Sequence, residues 1–328
     1  MKKLIFKVFH GDLVLSSLLL GTILIFGCSI TGKAIYESGP KPEAYFCPKD
    51  NCVNILAGII RNANGSAFCA FYDLELKSVI GALVNKSRDI EVNVVIDGDN
   101  ANNLVKGGNV RYDNKMQLMH NKFCIIDNKI VITGSFNPTN NDNYNNNNNM
   151  LIIQSGTLAA NYKAEFDELW GGNFGNGKKT KNQVVYINNR KIENYFCPED
   201  DCADRVISTI KHAKSSIQFM TFSFTHEGIA DALLSKSDIE IRGIFDSGQS
   251  SNKYSQLKRL KEFGMDVKKD SGKYKLHHKV FIIDNRTVIT GSFNPTENGD
   301  NNNDENLLII HDAEIASLYL EEFDSLWG

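Results

Sequence analysis

The sequence has no excess of positive charge. Its 36 Lys and Arg stand against 39 Asp and Glu, a formal net charge of −3. That excludes the bulk positive field of a general polyanion binder and leaves room only for a locally basic groove. No two cysteines have the two-residue spacing that closes a tight zinc loop, and no cluster of carboxylates suggests a metal seat. Neither a metal nor any other cofactor is therefore expected. Long uncharged runs are scarce as well: the notable one is the 18 residues from Leu13 to Ile30. What remains is ordinary globular composition, and 328 residues are long for one domain and comfortable for two.

Lys2, Lys3 and Lys7 precede that uncharged run. It reads as a membrane-spanning helix near the lower length limit, as the apolar part of a secretion signal, or, with Ile25-Phe26-Gly27-Cys28, as a lipoprotein signal. Residues 1–37 are accordingly assigned as an N-terminal membrane anchor or signal segment. The preceding positive charges put the rest of the chain outside the cytoplasm, tethered or secreted. In that compartment the Cys47/Cys52 and Cys197/Cys202 pairs are expected as disulfides, with a shared zinc site as the rival reading. Cys69 and Cys124 lie in strand-like runs and read as small buried apolar residues.

The chain repeats itself. Tyr45-Phe46-Cys47-Pro48 returns as Tyr195-Phe196-Cys197-Pro198, 150 positions on. Ile132-Thr133-Gly134-Ser135-Phe136-Asn137-Pro138-Thr139 returns as Ile289-Thr290-Gly291-Ser292-Phe293-Asn294-Pro295-Thr296, 157 positions on. A repeat this long is a duplicated domain. Unit 1 is placed at 38–172, a polar, Gly-rich linker at 173–190 and unit 2 at 191–328. Within each unit, strand-like and helix-like runs alternate, the mark of a sheet with helices on its faces. The Asn-rich run from Asn140 to Asn149 reads as a loop bordering the site.

Both copies fit H-x-K-x4-D-x6-G-S-x-N. The first supplies His120, Lys122, Asp127, Gly134, Ser135 and Asn137, and the second His277, Lys279, Asp284, Gly291, Ser292 and Asn294. A strand's period of two sends His and Lys to one face. Each Asp lies before a turn and is expected to hold that turn, and each Gly permits close backbone approach. This duplicated motif resembles the phospholipase D superfamily, closest to its compact endonuclease and cardiolipin-hydrolase-like members. The resemblance implies an α/β fold: two tandem phospholipase D-type sandwich units related by a pseudo-twofold axis, an internal pseudo-dimer; the N-terminal apolar helix precedes them, and no obligate protein partner is evident. It also implies metal-independent phosphodiester hydrolysis through a phosphohistidine.

In that reading Lys122 and Lys279 neutralise the phosphodiester, and Ser135, Asn137, Ser292 and Asn294 hold its oxygens. One histidine attacks while the other protonates the leaving oxygen. The family's Glu downstream of the motif is matched by Glu305, 28 residues after His277, whereas the same step from His120 reaches Asn148. Pairing within each unit would then make His277–Glu305 the acid and His120–Asn148 the nucleophile, with Asp142 as another source of the missing carboxylate. The substrate is a phospholipid or a nucleic acid. The basic residues Lys106, Arg111 and Lys115, and Lys258 to Lys275 ahead of the second motif, favour a polyanion or an anionic membrane surface. A nuclease specifically, or an inactive phosphate-binding scaffold, are the alternatives.

Overall fold

The computed structural model describes residues 34–101, 109–113 and 116–328. The expected anchor up to residue 33, with Cys28, and the basic residues Lys106 and Lys115 lie outside the described residues. The elements run β1 (Ile35–Glu37), β2 (Glu43–Cys47), α1 (Cys52–Arg61), β3 (Ser66–Phe71), α2 (Lys77–Lys86), β4 (Glu91–Ile96), β5 (Val110–Tyr112), β6 (Lys122–Ile126), β7 (Ile130–Gly134), α3 (Asn140–Tyr144), β8 (Asn148–Gln154) and α4 (Gly156–Gly171). They continue as β9 (Val184–Ile187), β10 (Arg190–Cys197), α5 (Cys202–Lys211), β11 (Ser216–Thr221), α6 (Glu227–Leu234), β12 (Glu240–Phe245), α7 (Leu257–Glu262), β13 (Asp266–Lys269), β14 (Lys279–Ile283), β15 (Thr287–Gly291), α8 (Glu297–Asn301), β16 (Glu305–His311) and α9 (Ala313–Trp327).

The duplication is exact in topology. One sheet has the order β2-β8-β7-β6-β3-β4-β5, and the other repeats it as β10-β16-β15-β14-β11-β12-β13, extended at its edge by β9 and β1. A central core draws on the facing sides of both sheets and on α4 and α9, with Tyr162 and Tyr319 fully buried. Two outer cores lie under α1 and α2 and under α5 and α6. With both faces covered, β6 and β14 are buried along their whole length, which is why they read as unbroken apolar runs after their lysines.

Ile35–Glu37, inside the span assigned to the anchor, pairs with β9, which lies inside the span assigned to the linker. The linker also drops Phe174 into the central core, so it is not a free surface connection. The asparagine run is not a loop: it forms α3 and the start of β8, with Asn143, Asn146, Asn148 and Asn149 buried. Buried amides need partners, and most of these groups find them, the Asn143 Nδ2 excepted among the described residues. Asn143 accepts from the Val53 N–H, and Asn149 bonds Ser135, His278, Thr290 and Tyr319.

Cys69 and Cys124, expected as small buried residues, are buried but not free. They face each other across β3 and β6 and are joined as a disulfide, alongside Cys47–Cys52 and Cys197–Cys202. Cross-strand partners 55 residues apart in sequence cannot be matched until the pairing register is known.

Candidate active site

The motif aspartates sit in two-residue turns. Asp127-Asn128 and Asp284-Asn285 all have positive φ, as a type I′ hairpin requires. The Asp127 carboxylate accepts the N–H groups of Asn64, Gly65 and Ser66, and Asp284 those of Lys214, Ser215 and Ser216. Burial opposes their charge, but these donors outweigh it and hold both carboxyls below their usual range. Gly134 and Gly291 have φ of 137° and 145°, and a Cβ on either would run into the carbonyl of Asn149 or Asn306. Glycine is therefore required where each motif turns back onto its sheet.

His120 and His277 stand just before β6 and β14, at the seam between the halves. Their placement is reciprocal. The His120 N–H donates to the Asp304 carbonyl at 3.0 Å, and the His277 N–H to the Asn147 carbonyl at 2.9 Å. Asp304 and Asn147 in return donate to the carbonyls of Leu118 and Lys275, both at 2.9 Å. Residue i meeting j while the copy of j meets the copy of i is the signature of an isologous, twofold contact, here within one chain.

This crossing overturns the expected partnerships. The residue after each bridge belongs to the opposite half, so Glu305 faces His120 rather than His277. Its two oxygens lie 2.9 and 2.8 Å from His120 Nδ1. The Asn148 Oδ1 lies 2.7 Å from His277 Nδ1, with an Asp142 oxygen at 3.5 Å. In both rings an acceptor at Nδ1 selects the tautomer with its proton there, which leaves the Nε2 lone pair for chemistry. The edges of Tyr72 and Phe222 meet His120 and His277, each at 4.9 Å between centroids.

Lys122 and Lys279 lie buried beneath the histidines. Their ammonium groups donate to the carbonyls of His120 and His277 at 2.7 and 2.6 Å. Burial lowers Lys122 to about 8, opposed by Glu305 and Asp142, and burial together with Lys122 takes Lys279 well below its usual value. Burial also takes His120 down to about 4 against the pull of Glu305. His277 is held well below its ordinary value by burial, then by Lys279 and Lys122. Four basic groups crowded out of water disfavour one another's protonation, and an anion bound among them would relieve that cost.

A cleft of about 1280 Å³ opens onto this seam, lined by His120, His277, Asn137, Asn294, Asp142 and Tyr72, with Lys253, Tyr254, Lys258, Arg259 and Lys275 towards its rim. Ser135 and Ser292 are not there. Both are wholly buried, and each hydroxyl accepts the N–H and side-chain amide of Asn149 or Asn306. The serines therefore anchor the start of β8 and β16, a correction to the expectation that they hold substrate oxygens. Asn137 Oδ1 and Asn294 Oδ1 are buried without a hydrogen-bond partner among the described residues. Among the same residues no group of three His, Cys, Asp or Glu side chains is placed to share a metal ion.

A family model described as "Cardiolipin synthase, PLD-like domain" matches the chain twice, over residues 56–170 and 206–327. The chain belongs to the phospholipase D superfamily. It is 35% identical to a mitochondrial cardiolipin hydrolase of Mus musculus, over 38% of this chain and 57% of that one. To a phospholipase D of Rickettsia conorii it is 32% identical, over 43% of this chain and 71% of that one. The chain thus spans little more than half of the mouse protein's length. The phosphatidylserine synthase structure of Haemophilus influenzae superposes with a TM-score of 0.61 over 86% of this chain and 85% of that one. At 12% identity that shows the fold alone.

Within this phospholipase D-type frame, the residues between His and Lys, left open in the motif, have a structural role in both halves. Asn121 and His278 point away from the cleft and are fully buried. Asn121 links Asn306 to Glu165, and His278 links Asn149 to Glu322 on α9, so each ties its strand across the seam. The sequence carried a signal for this, since Glu165 and Glu322 fall in the repeated Glu-Phe-Asp of the closing helices. Tyr72 and Phe222, each the residue after a buried strand, carried none.

Proposed function

We propose that the protein is a phosphodiesterase that works through a phosphohistidine on His277, with His120 as general acid and base. The observation that carries this reading is the cleft in which two histidines from opposite halves, each with Nδ1 held by an acceptor, stand over two buried lysines. The acid must hold a proton, and a carboxylate behind the ring favours that more than an amide does. Glu305 gives that support to His120 and Asn148 does not give it to His277. The same reasoning that would have made His120 the nucleophile assigns the opposite roles once the partners cross.

In the first step His277 Nε2 attacks phosphorus, the bond to the leaving oxygen breaks, and His120 delivers its proton to that oxygen. In the second step His120 takes a proton from water, the water oxygen attacks phosphorus, and the P–N bond breaks to restore His277. Lys122 and Lys279 stabilise charge on the phosphoryl oxygens. The bound anion offsets the lysines' field and restores the proton affinity that His120 needs to act as an acid. The chemistry requires no metal, and Asn137 and Asn294 face the substrate.

We assign the substrate to phospholipid or nucleic-acid phosphodiesters. The named activities of the relatives support a phospholipid at a membrane surface, to which the N-terminal apolar segment would tether the cleft. The disulfides support an oxidising, extracytoplasmic compartment. A second reading, a nuclease, is supported by the rim, where Lys253, Lys258, Arg259 and Lys275 line the same cleft as Tyr254, 63% exposed and able to stack on a base.

The test is hydrolysis by the full chain in EDTA of cardiolipin-containing vesicles, single-stranded DNA and RNA, beside His120→Ala and His277→Ala. Cleavage of one class, lost in both variants, supports the mechanism and names the substrate. Activity that needs added metal, or survives either substitution, defeats the mechanism. Binding without turnover of any of the three would favour a phosphate-binding scaffold. A p-nitrophenyl phosphodiester separates the roles: its good leaving group spares the first step, read as a burst of p-nitrophenolate, in His120→Ala and not in His277→Ala.

A further inference from the structure

The two halves are not equivalent where their loops reach the opposite histidine. With the 157-residue offset, Asn148 corresponds to Glu305 and Asp142 to Gly299. The first half thus lacks the carboxylate of the second at one position and has an extra one six residues earlier. Both carboxylates approach a histidine of the other half. Glu305 contacts His120 Nδ1 directly, and Asp142 Oδ2 lies 3.5 Å from His277 Nδ1, further out than the Asn148 Oδ1 at 2.7 Å.

We propose that Asp142 is a positioning residue, a displaced counterpart of Glu305 that supplies the counter-charge for His277 while Asn148 fixes the ring. The inference rests on the reading of His277 as the attacking base. Its rival is a purely structural role. Asp142 lies in the first turn of α3, and its carboxylate accepts the Asn137 N–H at 2.9 Å, Asn137 Nδ2 at 2.8 Å and Asn146 Nδ2 at 2.8 Å. The second half argues against necessity for folding. Thr296 caps α8 through the Gly299 N–H as Thr139 caps α3 through the Asp142 N–H, and α8 forms with no carboxylate at 299. A Cβ at Gly299 would meet the Asn294 carbonyl, so that half has no room for the device.

The division of labour suits a nucleophile. An acceptor amide at Nδ1 keeps the ring neutral with its Nε2 lone pair free. A carboxylate one step further back, its oxygens occupied by three amide donors, does not claim the ring proton but still offsets the cation formed when Nε2 bonds phosphorus. The groups facing His277 are otherwise positive: Lys279, Lys122, Lys275 and His120. Asp142 is the carboxylate that comes within 4 Å of this ring among the described residues.

The test uses the full chain as wild type, Asp142→Asn, and the double variant Asp142→Gly with Asn148→Glu, which copies the second half's arrangement onto the first. Asp142→Asn keeps an oxygen to accept the Asn137 donors. Turnover of bis(p-nitrophenyl) phosphate should fall roughly 10- to 100-fold in kcat with KM little changed, as for outer partners of functional histidines. The double variant should recover only part of that loss, because a carboxylate directly at Nδ1 restores the counter-charge but also favours the protonated ring that cannot attack. Independently of turnover, NMR titration of the His277 imidazole with inorganic phosphate bound should give a lower midpoint in Asp142→Asn and a restored one in the double variant. Wild-type kcat and an unmoved His277 titration in Asp142→Asn would overturn the proposal. A wild type that fails to hydrolyse the probe defeats the phosphodiesterase reading instead, and the titration still decides the role of Asp142.

Discussion

The strand pair beneath the two motifs is built differently in the two halves. In the first, Cys69 on β3 and Cys124 on β6 face each other and are joined covalently, with Val94 beside Cys69 on β4. In the second, the same places hold Phe219 and Phe281, their ring centroids 5.6 Å apart, and the neighbour on β12 is Gly243. A Cβ on Gly243 would overlap the Phe219 ring, so the glycine makes the room that the aromatic fills. One half closes its outer core with a bond and medium side chains, the other with large rings and a gap. Total volume is what a core conserves. Lys122 and Lys279 stand two residues before Cys124 and Phe281, on the same face of their strands, so both closures support the same motif.

The largest expected effect tests the asymmetry at the seam. Glu305→Gln removes the charge behind His120, and kcat should fall by roughly 100-fold. Glu305 raises His120's proton affinity against burial. Without it His120 loses its proton at lower pH, so the alkaline limb of kcat against pH should move to lower pH. An unmoved limb would break the assignment of His120 as the acid.

Next comes the covalent closure of the first half. Cys69→Ala with Cys124→Ala removes a cross-link spanning 55 residues and should lower the unfolding free energy by roughly 2–4 kcal/mol. Urea unfolding measures it. A smaller loss would mean that β3 and β6 hold by packing, as β11 and β14 do.

The second half should be sensitive to added volume instead. Gly243→Ala should cost about 1–3 kcal/mol, because Phe219 is walled in by Phe224, Phe245 and Phe281. Phe219→Leu in the same chain should recover part of it in the same unfolding assay, and additive losses would show that the glycine serves another purpose.

The smallest effect depends on pH. Asp304 takes the place that Asn147 takes in the first half. Burial pushes its carboxyl well up, and Glu199 and Asp113 add to the rise. A folded-state value above the unfolded one gives stability at low pH that is lost as pH climbs through the folded value. Asp304→Asn can still accept from the Gly175 N–H. It should gain on the order of 1 kcal/mol at alkaline pH and little in mild acid, measured as stability against pH. An equal gain at both would exclude a buried protonated carboxyl.

The motif and its duplication were legible because they are local: two-residue spacing on a strand, a glycine forced by positive φ at Gly134, an aspartate in a turn. The apolar runs of β6 and β14 were equally plain. The asparagine run was not, since composition marks Asn as a turn residue and only burial at the seam makes Asn148 and Asn149 interior hydrogen-bonding groups. Ser135 and Ser292 looked like phosphate donors because hydroxyls suit phosphate, while their occupation by Asn149 and Asn306 depends on strand pairing.

By itself, then, the amino-acid order determined two copies of one α/β unit, the two histidines with their lysines, and the chemistry such a set can perform. Its information is carried by short periods and near neighbours, which survive without a fold. The tertiary structure decided who faces whom: Glu305 with His120, Asn148 and Asp142 with His277, Cys69 with Cys124. Those contacts cross a pseudo-twofold seam or a sheet ladder, and no spacing along the chain encodes on which side of an axis a neighbour will stand.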